Sequence, residues 1–392
     1  MPTFSEIIKK CEKDWACPEL MESVNKVGGR KIPFSSPTLN WATYGGIPRA
    51  AITEFYGIPS GGKSTTAIDI CKNALDIFIQ EYNDEVLALE EKIASGKKEY
   101  KTALSDLKDR GPKKVLYLDL EHAFDRKWAA TLGITNKAIE VMQPPNVAAE
   151  PILQAVQGLI ESGELGLLVL DSIPSLVTQS ELEKKFGERT VASLAGLLTI
   201  FLRKVTQLLS RYDCTILLIN QIRDNMENPY VDNTPGGEAV KFYSSLILSF
   251  KLGNPVDFLG NELPQKAENP AGYKIVVKVV KQKSAPFDRK LGEYFLMAQS
   301  GLRVDFEFAE LAIKRYEIIR KGGAWFTVCD PETKEPLENE DGVIVKLNGQ
   351  AKVYDYLQNN PEYYEKLCNF IVADINKNGV EVEDNIPDIV DD

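Results

Sequence analysis

The segment Gly57-Ile58-Pro59-Ser60-Gly61-Gly62-Lys63-Ser64 constrains this chain more than any other. Its spacing, Gly-x4-Gly-Lys-Ser, is that of a loop whose backbone N–H groups wrap a polyphosphate. Lys63 then offers a positive charge to the β- and γ-phosphate oxygens, and Ser64 a hydroxyl to Mg²⁺. The pattern carries weight only between a strand and a helix. Ala51-Ile52-Thr53-Glu54-Phe55-Tyr56 reads as the strand. Thr65 to Tyr82 is apolar at helical spacing through Ile68, Cys71, Leu75, Phe78 and Ile79. A ligand-free glycine-rich turn is the plainer alternative, and the satisfied context argues against it.

The same alternation continues down the chain. Lys114–Leu120, Leu167–Leu170 and Thr215–Ile219 are short apolar runs, as expected of strands buried on both faces. Ala149–Glu161 and Val191–Tyr212 between them read as helices. Strands alternating with helices predict an α/β fold with a mostly parallel, twisted sheet and right-handed crossovers. Tyr273–Gln282 and Lys290–Met297 read as a strand pair closing that sheet. The charged stretch Asn83 to Pro112 steps by threes and fours on either side of Ser95-Gly96, which predicts an inserted antiparallel helical hairpin. It reads as a tolerated surface insertion or as a partner-binding arm. The expected division is 1–36 for an N-terminal helix and arm, 37–304 for the core, 305–379 for a small α/β domain, and 380–392 for an acidic disordered tail. Within the small domain, Phe308–Ile319, Val353–Asn359 and Glu362–Ile375 read as helices and Trp325–Cys329 as a strand. Asp330 to Asn348 reads as polar turn material.

Composition removes several classes of protein. The one histidine, His122, excludes multi-histidine metal sites and leaves a carboxylate as the expected general base. Six cysteines without a CxxC pair read as free thiols in a reducing compartment. No apolar run is long enough to cross a membrane, and Met1 to Glu22 has no signal-peptide core, so a soluble intracellular protein is expected. The net charge of −11 argues against nucleic acid as a partner. Val380 to Asp392 holds six of the acids and no base; without it the charge is −5, which weakens the objection.

Three further strand ends carry chemistry. Leu167-Leu168-Val169-Leu170-Asp171-Ser172 is an apolar strand ending in a carboxylate suited to the Mg²⁺ shell of a P-loop NTPase. Val115 to His122 ends another strand, and its Glu121 is the candidate to polarise an attacking water; capping a turn is the alternative. Ile216 to Gln221 ends in two amides able to sense a γ-phosphate. The long segment Ile222 to Gly237 follows, rich in proline, asparagine and glycine, and loops of that length are usually functional.

In this order the elements resemble the RecA family of recombinases over residues 38 to 330. The likeness lies in Phe55–Ser64, Tyr117–Asp125 (YLDLEHAFD), Leu167–Ser172, Asn220-Gln221-Ile222-Arg223, Thr234–Tyr243 (TPGGEAVKFY), Val277–Phe287 (VKVVKQKSAPF) and Gly322–Phe326. The resemblance implies a RecA-like ATPase core. It also implies ATP and Mg²⁺ as ligands, with phosphate contacts from Gly57 through Ser64 and Thr65. Glu121, Lys63 and Gln221 would act in hydrolysis, Ser64 and Asp171 would hold the metal, and Ser172 would stand beside them. Asp125 and Trp128 match the adenine pocket. Lys281 and Lys283 match lysines that reach the ATP of a neighbouring subunit, and Phe242 an aromatic coupling adjacent sites. Lys184, Lys185, Arg189, Arg203, Arg223, Gly236 and Gly237 would touch DNA.

The implied activity is DNA-dependent ATP hydrolysis by helical filaments on single-stranded DNA, with pairing and exchange against a homologous duplex. ATP would lie between subunits. Single-strand-binding or mediator proteins are candidate partners, no membrane is involved, and the setting is the cytoplasm of a bacterial or phage-infected cell. Departures from the family mark a divergent member. They are the insertion, Trp128 in place of the usual tyrosine, Gly196 in place of an arginine, Ala298 where an aromatic is usual, and the acids Asp224, Glu227, Asp232 and Glu238. The alternatives are a RecA-core ATPase with another task, as a hexameric helicase-type motor or a clock-type kinase, and a recombination mediator without turnover.

Overall fold

The computed structural model describes residues 29–134, 139–185, 193–222, 235–286 and 288–377. The expected N-terminal helix and acidic tail lie outside these residues, as do Arg189 and Arg223. Nine strands form the main sheet: β1 (Ile52–Gly57), β2 (Lys114–Asp119), β3 (Glu140–Met142), β4 (Leu165–Asp171), β5 (Thr215–Gln221), β6 (Leu246–Val256), β7 (Gly272–Gln282), β8 (Leu291–Met297) and β9 (Gly301–Leu302). Their order is β9-β8-β7-β6-β1-β5-β4-β2-β3. From β6 to β3 every pairing is parallel, and from β6 to β9 every pairing is antiparallel.

Side-chain alternation gives the sheet two cores. Phe55, Val169, Leu217 and Ile219 face the helix that starts at Lys63. Ile52, Leu168, Leu170, Ile216 and Leu218 face the helices Ala149–Glu161 and Ser193–Tyr212. The result is a three-layer α/β core with the expected mostly parallel sheet, and the carboxyl ends of β1, β2, β4 and β5 lie side by side. Register sets what meets there: Gly57 stands opposite Gln221, and Asp119 opposite Asp171.

Strand β6 was not legible in the sequence. Its run LILSFKLGNPV contains Gly253 and Pro255, which weaken any strand pattern. The structure absorbs both where the β6–β7 register shifts between Leu252 and Pro255, since proline offers no N–H to a regular ladder. Gly253 is needed because a Cβ there would stand 2.6 Å from the carbonyl of Lys274.

The insertion differs from expectation in its first arm. One helix, α1, runs unbroken from Lys63 to Ala94, roughly 48 Å at 1.5 Å per residue. Nothing between Tyr82 and Ala94 breaks helical geometry, so the helix after the phosphate loop becomes the hairpin's first arm. The chain turns at Gly96, whose φ is 95°. The second arm, α2 (Tyr100–Arg110), folds back with Lys108 on Glu90 at 2.7 Å and Lys92 over the Tyr100 ring.

The C-terminal region follows with helix Val304–Lys314, a three-stranded antiparallel sheet (Ile319–Gly322, Trp325–Val328, Lys346–Asn348) and helices Gln350–Asn359 and Pro361–Lys377. The expected helix Phe308–Ile319 starts earlier and stops at Lys314, and Ile319 opens a strand. Polar Lys346–Asn348 is a strand where turn material was expected. Phe306, Ile318, Val353 and Leu367 pack with Phe295 and Met297 of β8, which docks this region on the core. Among the described residues no helix is long and apolar enough to cross a membrane.

Glu307 is buried at that junction. It accepts hydrogen bonds from Ser36, the N-cap of helix Pro37–Thr43, and from Thr38 at 3.0 Å. Burial pushes its carboxyl up to about 8, with both hydroxyls acting in the opposite direction. The folded chain therefore keeps a proton that the unfolded chain releases near the ordinary carboxylate range, so stability falls as pH rises toward about 8. Urea midpoints between those limits are expected to decline with pH in the native chain and less steeply in Glu307→Gln. Equal slopes in the two proteins would contradict this.

Candidate active site

The phosphate loop is fixed by close packing. Gly57 has a φ of 155°, and a Cβ there would lie 2.2 Å from the carbonyl oxygen of Phe250 on β6. Gly62, with φ 89°, caps α1, and a Cβ there would lie 2.5 Å from the Tyr294 hydroxyl. Both positions thus require glycine, and the loop leads into the N-terminus of a long helix, where anions are favoured. Lys63 is buried, and its Nζ donates to the carbonyls of Gly57 at 3.1 Å and Ile58 at 2.7 Å. Burial lowers its pKa, while Asp171 and Glu121 act the other way.

Those two carboxylates face the loop. Asp171, ending β4, accepts from the Tyr117 hydroxyl at 2.5 Å and hydrogen-bonds Ser64. Burial raises its pKa, and both hydroxyls oppose the shift. Glu121 is exposed at the loop after β2. Its Oε1 accepts from Ser172 Oγ and from Gln221 Nε2, the latter at 2.9 Å. Glu121, Ser172 and Gln221 therefore form one cluster, drawn from three strand ends.

Asp119 was missed as a site residue. It is buried at the end of β2 and accepts from the backbone of Glu121 at 3.1 Å and Phe124 at 2.8 Å, and from Gln143 Nε2 at 2.8 Å. It holds the turn that presents Glu121. The signal was an aspartate two residues before the candidate base, the spacing at which its side chain can cap a turn.

Beside the loop is a cavity of about 310 Å³, lined by Ser60, Trp128, Leu252, Tyr273, Met297 and Ala298 among others. Trp128 also donates from Nε1 to Thr65 at 3.2 Å, tying the cavity wall to α1. Apolar walls next to a phosphate loop suit a flat heteroaromatic base. Of the residues matched to the adenine pocket, Trp128 lines this cavity and Asp125 does not, whereas Leu252 and Tyr273 arrive with β6 and β7. Asp125 is the N-cap of helix Arg126–Thr131, accepting from Lys127 N at 2.7 Å and Trp128 N at 3.3 Å. Cavity, glycine-lined loop, lysine and the Ser64–Asp171 pair together fit a nucleoside triphosphate with Mg²⁺. Among the described residues no three His, Cys, Asp or Glu side chains converge on a metal site. A Mg²⁺ held by one carboxylate, a hydroxyl and substrate phosphates needs none.

Lys281 and Lys283 do not join this cluster. Lys281, at the end of β7, donates to the carbonyls of Lys241 and Phe242, the latter at 3.1 Å, and Lys283 donates to Phe242 at 3.0 Å. Both lysines thus cap the C-terminus of helix Glu238–Tyr243, where Phe242 is 69% exposed. Lys184 and Lys185 are exposed after the short helix Gln179–Leu182, and Arg203 is exposed on helix Ser193–Tyr212. Gly236 and Gly237 have φ of 92° and 72° and lead into helix Glu238–Tyr243.

The chain matches the family model of the RecA N-terminal domain over residues 85–302. It is 34% identical over 312 residues to the protein RecA of Chlorobaculum tepidum, covering 79% of this chain and 77% of that one. It is 30% identical over 371 residues to the protein RecA of Thermus aquaticus, covering 93% and 92%. Against the protein RecA of Bacteroides thetaiotaomicron the identity is 31% over 379 residues, covering 94% and 96%.

Proposed function

The chain belongs to the RecA family of recombinases, and on that premise we propose that it assembles as filaments on single-stranded DNA and drives homologous pairing and strand exchange with DNA-dependent ATP hydrolysis. The observation that carries the proposal is the hydrogen bond from Gln221 to Glu121. It ties the candidate base directly to the strand end from which the 222–237 segment departs.

In this reading the adenine enters the cavity beside Trp128, and the loop Gly57–Ser64 with Thr65 takes the phosphates. Lys63 leaves its two loop carbonyls for the phosphate oxygens. Mg²⁺, held by Ser64 and Asp171, would supply charge neutralisation at the phosphates. Glu121, held by Ser172 and Gln221, orients a water on the γ-phosphorus and takes its proton. The bond to the bridging oxygen breaks, releasing ADP and inorganic phosphate. Gln221 donates its second amide hydrogen to the γ-phosphate, and loss of that phosphate breaks the bond, so the nucleotide state reaches the segment after β5. Lys281 and Lys283 leave their helix cap to complete the ATP site of the adjacent subunit. Lys184, Lys185, Arg189, Arg203 and Arg223, with the Gly236-Gly237 backbone, take the DNA in a cytoplasmic setting.

Electron microscopy with ATP and single-stranded DNA, read together with strand exchange against a homologous duplex, tests this. Helical filaments and exchanged products are expected. Closed rings, or filaments without exchange, would overturn the proposal.

A further inference from the structure

Glu54 lies in the middle of the central strand, 1% exposed, and nothing in the chemistry above uses it. A carboxylate so deep is kept only with partners. Its Oε1 accepts from Asn220 Nδ2 at 2.8 Å. The same Nδ2 donates at 2.9 Å to the carbonyl of Pro235, just before helix Glu238–Tyr243. Asn220 Oδ1 accepts from the backbone N–H of Gln221 at 3.0 Å. Both donors and the acceptor of this amide are thereby engaged. Consecutive strand residues point to opposite faces. Asn220 therefore reaches Pro235 while Gln221 reaches Glu121.

A second connection runs across the sheet. Glu54 stands opposite Ile247 on β6, and Ile247 opposite Lys281 on β7. The register shift between Ile247 and Leu248 leaves Val280 as the extra residue. Such a bulge turns the following side chain over, so Lys281 comes to the Glu54 face. Two strand spacings separate their backbones, roughly 10 Å. Burial raises the Glu54 pKa, and the Asn220 hydrogen bond and then the charges of Lys241 and Lys281 oppose it.

We propose that Glu54 is the positioning residue that couples the hydrolytic cluster to Pro235, just before helix Glu238–Tyr243, and to Lys281. It touches no substrate. By fixing the Asn220 amide, it makes Gln221 and Pro235 move as one piece, and its row across the sheet links that piece to the lysine cap of helix Glu238–Tyr243. The coupling rests on the ATPase reading above.

Glu54→Leu removes the acceptor at similar volume, and Glu54→Gln keeps it. Two quantities are measured in each full-length variant: turnover with and without single-stranded DNA, and ATP-induced change in amide hydrogen exchange over Gly236–Tyr243. In Glu54→Leu, DNA-free turnover is expected to stay within about threefold of native. The DNA-stimulated increment is expected to fall about tenfold or more, the size of a typical coupling between sites. The ATP-induced exchange change should vanish, and Glu54→Gln should keep both responses. The proposal is overturned if Glu54→Leu is stimulated like the native chain. It is equally overturned if both variants lose DNA-free and DNA-stimulated turnover in the same proportion, the mark of a purely structural carboxyl. Should the native chain itself show no stimulation, the recombinase reading fails instead, and hydrogen exchange still decides on Glu54.

Discussion

Lys63→Ala is expected to abolish ATP turnover, with a loss of about 10²–10³-fold or more, and ATP-supported strand exchange with it. The magnitude follows from where charge develops. Phosphoryl transfer loads negative charge onto the γ-phosphate oxygens, and a buried cation acts there in a low dielectric with little reorganisation. Lys63 already has its head group among the loop carbonyls of Gly57 and Ile58, within reach of the fields of Asp171 and Glu121. Among the described residues its hydrogen bonds go to the carbonyls of Gly57 and Ile58, so the fold should survive; an unchanged melting temperature would separate lost chemistry from lost structure. A coupled-enzyme assay with and without single-stranded DNA measures the effect. Undiminished hydrolysis would remove the phosphate loop from the mechanism.

Much of this architecture was legible beforehand. A glycine-rich loop between strand and helix can do little else, and apolar runs ending in Asp171 or Gln221 announce both the parallel strands and the crevice at their ends. The helix Ala149–Glu161 has the bounds its periodicity predicts. Part of what escaped reading depends on long-range contacts. Strand β6 hides behind Gly253 and Pro255, which a bulge tolerates but a propensity pattern does not show. Leu252 and Tyr273 reach the cavity at the phosphate loop only because β6 and β7 pair beside it. Glu54 looks in sequence like a polar interruption in a strand. Its partner Asn220 lies 166 residues away in the chain, and only the parallel pairing of β1 with β5 brings the two together. Asp119 was read as part of a motif, without the turn it holds. The unbroken helix α1 through Ala94 follows from local chemistry alone, since no breaker stands between Tyr82 and Ser95-Gly96.

Under the proposed function, the site built from these elements is half a site. Lys63, Glu121, Asp171 and Gln221 converge, whereas Lys281 and Lys283, at the end of β7, cap the helix bearing exposed Phe242. A head-to-tail interface between identical subunits would bring the two halves together and propagate a filament. The double variant Lys281→Ala/Lys283→Ala should therefore lose DNA-dependent turnover to nearly the same extent as Lys63→Ala, by a different route. Its own phosphate loop stays intact, and Lys63→Ala keeps intact lysines.

Mixing the two inactive proteins in equal amounts on single-stranded DNA is the most direct measurement. Random assembly gives about one interface in four an intact loop from one protomer and intact lysines from the next. Turnover is predicted to return to about a quarter of the native rate. A mixture as inactive as its components, with both variants folded and bound to DNA, would show that the ATP site is not completed by a neighbouring subunit.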